Sequence, residues 1–114
     1  MSDVMRAAAF AEPGGPDVLT VMELPAPQAG EGEVRVRVRA AGVQPFDAAV
    51  RAGWLPPYMS DVGYPRIPGN EFAGVVDQVG PGVTGVALGG EVLGCPYVRQ
   101  VVRLGQERGR LSLL

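Results

Sequence analysis

Between Glu33 and Ala40, Val34, Val36 and Val38 alternate with Arg35, Arg37 and Arg39. A period of two places valines on one face and guanidinium groups on the other, which is the signature of a half-buried strand. A helix would scatter those valines around its circumference. The arginine stripe admits a phosphate-binding reading, but a solvated outer face is the commoner meaning of this pattern. A chain built around such a segment has to supply further strands to pair with it.

The rest of the sequence supplies them in short pieces, cut by 17 Gly and 11 Pro residues. Met5 to Ala11 and Val18 to Leu24 read as two strands around the turn Glu12-Pro13-Gly14-Gly15-Pro16. Glu71 to Val79 reads as another, with a bulge where strict alternation fails. Gly80-Pro81-Gly82 and Gly89-Gly90 are turns before Glu91 to Gly94, and Tyr97 to Leu104 offers a closing strand. Phe46 to Ala52 has helical character, with Pro45 at its start and Gly53 as its stop. Trp54 to Pro68 is too proline-rich for either element and reads as an ordered loop. The expectation is a mainly β fold, a small partly open barrel with one or two short helices, in a single domain over residues 1–104. Residues 105–114 read as a tail of uncertain order.

Composition removes several functions. At 46% hydrophobic and 19% charged residues the chain reads as globular. A net charge of −2 gives no global field toward nucleic acid or anionic membrane. Arg99, Arg103, Arg108 and Arg110 face only Glu107 near the end, which reads as a solvated tail. There is no His, so no imidazole base, triad or ligand is available. Cys95 is the one cysteine, which allows no internal disulfide and reads as a small buried thiol. With no signal-peptide pattern and no run near the ~20 apolar residues of a membrane span, the expected setting is cytoplasmic.

Several phrases in order resemble the amino-terminal, GroES-like domain of the medium-chain dehydrogenase/reductase family. They are Met5-Arg6-Ala7, Gly14-Gly15-Pro16-Asp17-Val18-Leu19, Gly32-Glu33-Val34-Arg35-Val36-Arg37-Val38 and Ala40-Ala41-Gly42-Val43. Pro45-Phe46-Asp47, Pro68-Gly69-Asn70-Glu71-Phe72-Ala73-Gly74-Val75-Val76 and Val79-Gly80-Pro81-Gly82-Val83 complete the run. Zinc-dependent members carry Cys after the Ala-x-Gly-Val phrase and His in a Gly-His-Glu phrase. Here Gln44 and Asn70 stand in those places, and neither amide is a good zinc ligand. The resemblance is therefore to the zinc-free quinone oxidoreductase (zeta-crystallin-like) branch, with no metal site.

That branch implies hydride transfer from NADPH to a quinone or enone. Gln44 would sit near the nicotinamide and the substrate carbonyl, where its N–H stabilises a developing enolate. Asp47 would orient a neighbouring group or water, and Asn70 would line the same cleft. Plainer readings stay open: Gln44-Pro45 as a turn, Asp47 as an N-terminal helix partner, Asn70 in a left-handed turn after Gly69. Trp54, Tyr58 and Tyr64 would roof a flat substrate, or simply pack. Relatives often carry Tyr where Leu55 stands, which removes one stacking group.

The family continues into a Rossmann domain, yet no glycine-rich strand-to-helix turn occurs here. The expectation is a substrate-binding half without its nucleotide-binding half. It would work with a nucleotide-binding partner protein, serve as a stand-alone non-redox ligand-binding or cyclase/isomerase-type domain, or persist as a vestigial self-associating one. A homodimer is expected under all three.

Overall fold

A computed structural model describes residues 4–57, 63–96, 101–103 and 109–113. The chain divides into two compact units, Met1–Ala26 with Val43–Gly69, and Pro27–Gly42 with Asn70–Leu114. The architecture is mainly β, as expected, with one α-helix among the described residues.

In the first unit, β1 (Val4–Ala9) and β2 (Thr20–Pro25) form an antiparallel pair from Val4 opposite Pro25 to Ala9 opposite Thr20. The sequence boundary at Val18 shifts, because Pro16 starts a 3-10 turn over Pro16–Val18. Helix α1 (Pro45–Arg51) has Gln44 as its N-cap and Pro45 in its first turn. It stops at Gly53, whose φ of 110° is a conformation other residues adopt at a cost. The β1–β2 turn is tied to the helix end, where Gly14 N–H donates to the Arg51 carbonyl at 3.0 Å. Arg51 Nε returns a bond to the Gly14 carbonyl at 3.2 Å. Ala9, Phe10 and Val50 are buried in this unit.

The second unit is a five-stranded antiparallel sheet, order β6-β3-β4-β5-β7. Its strands are β3 (Glu33–Ala40), β4 (Phe72–Val79), β5 (Glu91–Pro96), β6 (Val101–Arg103) and β7 (Gly109–Leu113). β6 and β7, the two ends of that order, also approach one another without a hydrogen-bonded ladder, so the sheet curls into a partly open barrel. Val34, Val76 and Val92 are fully buried, with Val36, Phe72, Val79, Val83 and Val86 packed on them.

Two sequence expectations need correction here. The valine face of β3 is buried only at its start: Val34 is buried, Val36 half-buried and Val38 53% exposed. The β3–β4 register shifts between Arg35 and Val36 and again between Val38 and Ala40. Each bulge turns the strand, so the later residues leave the core. The first shift leaves Asp77 as the extra residue of β4, and its carboxylate meets Arg35 Nε at 2.8 Å. Arg35 also donates to the Pro27 carbonyl at 3.1 Å, so it is not simply a solvated arginine.

The second correction concerns the terminal segment. Residues 97–100 and 104–108 lie outside the described residues, so the closing strand is described only over β6. The segment read as a tail contains β7, which pairs with β5 from Val92 opposite Leu113 to Pro96 opposite Gly109. Arg110-Leu111-Ser112-Leu113 alternates with period two, and the free edge of β5 gives that pattern a ladder to join.

Candidate functional site

Gln44, Asp47, Trp54 and Tyr64 belong to the first unit, and Asn70 belongs to the second. Tyr58 lies outside the described residues.

Gln44 is exposed where the chain enters α1. Asp47, three residues on, is only 7% exposed. Its Oδ2 accepts the Gln44 backbone N–H at 2.9 Å, and its Oδ1 accepts the Gly69 N–H at 3.0 Å. The helix-partner reading of Asp47 is therefore present in the structure, with a second backbone partner added from 22 residues away.

The two described aromatics differ in their surroundings. Trp54 is 52% exposed, edge-on to Phe46 with ring centroids 5.7 Å apart. Its backbone N–H is held by the Ala49 carbonyl at 3.0 Å, which fixes the start of the loop on the helix. Tyr64 is edge-on to buried Phe10 at 6.0 Å, and the Arg66 guanidinium lies 4.1 Å from its ring centroid. Paired main-chain bonds between Phe10 and Arg66 lock that arrangement. Both rings keep exposed surface, 52% for Trp54 and 43% for Tyr64, and the Tyr64 ring carries the cation–π contact.

In the second unit, Asn70 is half-buried just before β4. The left-handed conformation considered for Asn70 belongs instead to Gly69, at φ 107°, where no Cβ opposes it. Beside Asn70, residues 40–42, 71–73 and 93–95 line an open groove of about 660 Å³ at the ends of β3, β4 and β5. Its walls are mostly small or apolar, with Glu71 and the half-buried Cys95 as polar groups. The Glu71 side chain lies so close over Gly42 that a Cβ at Gly42 would collide with it. Sequence reasoning missed both groove residues. A glutamate just ahead of the apolar run Phe72 to Val76 was the available signal for Glu71; nothing marked Cys95 as a neighbour.

The described residues hold no cluster of three His, Cys, Asp or Glu side chains able to grip a metal ion. No helix among them is long and apolar enough to cross a membrane.

The family model of the alcohol dehydrogenase GroES-like domain matches residues 30–109. The chain belongs to that family. This GroES-like domain is 36% identical to the quinone oxidoreductase of Rattus norvegicus over 92 residues, covering 78% of this chain and 26% of that protein. Among solved structures, Escherichia coli quinone oxidoreductase complexed with NADPH superposes with a TM-score of 0.76 at 26% identity. That match covers 96% of this chain and 33% of the other. A cobalt- and zinc-bound alcohol dehydrogenase from Pyrobaculum aerophilum matches with a TM-score of 0.70 at 35% identity, over 97% of this chain and 40% of that one. The GroES-like domain thus has quinone oxidoreductases and metal-bound alcohol dehydrogenases among its relatives. It spans about a quarter of the length of the curated relatives it matches.

Proposed function

We propose that this GroES-like domain provides the substrate side of a zinc-independent quinone or enone reductase. The observation that carries the reading is the donor set. The chain has no His and one Cys, and the resemblance puts Gln44 and Asn70 where zinc-binding relatives have thiolate and imidazole. Those amides do not fit zinc, although some relatives hold it. A neutral amide does suit a carbonyl oxygen that gains charge as a C=C or quinone is reduced.

NADPH, where bound, would supply the hydride. The described residues offer it little beyond Gln44: α1 follows Gln44-Pro45, not a glycine-rich turn, and Gly80-Pro81-Gly82 leads into no helix. The work of this chain is therefore to bind and orient the acceptor. Gln44 donates to its carbonyl, and exposed Trp54 stacks on its ring.

Trp54 is the only tryptophan, so its fluorescence reports on this site alone. Titration with a planar naphthoquinone in the presence of a zinc chelator should give saturable quenching. Gln44→Ala should weaken it about ten-fold, the loss of one hydrogen bond to a developing or polarised oxygen. Quenching that rises linearly without saturation, or that saturates only when zinc is added, contradicts the proposal.

A further inference from the structure

We infer that Asp47 is a positioning residue of the substrate site: one buried carboxylate fixes Gln44 and the Gly69 end of the following loop together. The inference rests on the reading of Gln44 as the ligand-facing amide. Its geometric basis is independent of that reading. Each carboxylate oxygen takes one backbone N–H, from Gln44 at 2.9 Å and from Gly69 at 3.0 Å. The group is 7% exposed, so water does not compete effectively for either bond.

Helix α1 has only seven residues, too few to hold its own first turn without tertiary ties. Gly14 and Arg51 fasten the helix end, and at its beginning Asp47 joins the Gln44 N–H to the Gly69 N–H from across the loop. The same carboxylate holds Gly69, whose φ of 107° gives the loop a bend that glycine accepts readily. Asp47 thereby couples two backbone positions 25 residues apart in sequence, one of them the residue next to Asn70. With both oxygens directed at backbone N–H groups, its role is orientation, and no proton transfer is assigned to it.

Asp47→Asn keeps the shape but points an NH2 donor at one of two N–H donors, so one bond is replaced by a repulsive contact. In ¹H–¹⁵N spectra of the folded variant, the Gln44 and Gly69 amides should both move upfield, while the Gly14 and Trp54 amides stay. Naphthoquinone affinity, read by Trp54 quenching, should fall about ten-fold, and this loss should largely vanish in a Gln44→Ala background. Asp47→Glu, which keeps a carboxylate, should restore part of the affinity and serves as the readable variant if Asp47→Asn does not fold. Unmoved Gln44 and Gly69 amides, or an Asp47→Asn loss that persists fully in Gln44→Ala, would overturn the inference. If the wild-type chain binds no quinone, the functional reading fails, and the two amide resonances still decide whether the clamp exists.

Discussion

The two compact units are held together by different means. The second has a ladder of strands whose valines, contributed by β3, β4 and β5, meet in one cluster. The first has a two-stranded sheet, a seven-residue helix and a loop. Among the described residues it buries Ala9, Phe10 and Val50 and has a set of backbone and side-chain ties. Stability in the second unit comes from burial distributed over many methyl groups, each Val contributing about 1.5–3 kcal/mol. In the first it depends on single groups, Phe10 and Asp47 above all. Gln44 and Trp54, which carry the proposed acceptor contacts, lie in the unit held by few ties, in keeping with function residing on loops.

Substitutions can break or sharpen that contrast. The largest effect should come from Phe10→Ala. It removes a fully buried ring and the edge-on support of Tyr64, at a cost of about 3–5 kcal/mol in chemical denaturation. A loss below about 1 kcal/mol would show that the first unit does not depend on the buried Phe10 ring.

Gly80→Ala should come next. A Cβ there would run into the carbonyl oxygen of Gly30, and Gly80 N–H is bonded to the Glu33 carbonyl at 2.8 Å. Backbone has to shift, with an expected loss of about 2–3 kcal/mol. Val76→Ala should cost about 2 kcal/mol, since a buried valine loses two methyl groups within a cluster that relaxes only in part. Gly80→Ala behaving like wild type would mean that the turns of the second unit yield more readily than its packing implies.

Breaking the Arg35–Asp77 pair should matter least. Both side chains are partly solvated, so Asp77→Ala should change stability by less than about 1 kcal/mol, and less still in high salt. A larger loss would assign the bulge, not the ion pair, to Asp77.

The contrast between units also explains what was legible in the sequence. Period-two patterns, proline at a helix start and glycine at its end are local signals, and they located β3, β4 and α1 to within a residue or two. The exposure of Val38 was not legible, because it follows from two register shifts created by pairing with β4. β7 was missed for a related reason: a five-residue alternation means little until an open strand edge is there to receive it.

At the site, spacing gave half of Asp47's role. Three residues from Gln44 to Asp47 suffice for a helix-start partner, but the bond to Gly69 needs the loop's path. Glu71 and Cys95 line one groove only because Ala73 pairs with both Ala40 and Leu93 across the sheet. Likewise, nothing in the residue type shows that Arg66 lies over the ring of Tyr64.

The most direct test of the account is a calorimetric titration of the purified chain with two ligands, a planar naphthoquinone and NADPH, under chelation. Saturable quinone binding is expected, with no saturable NADPH binding by these residues alone. Saturable NADPH binding without quinone binding would contradict it, placing the nucleotide site, and not the acceptor site, on this chain.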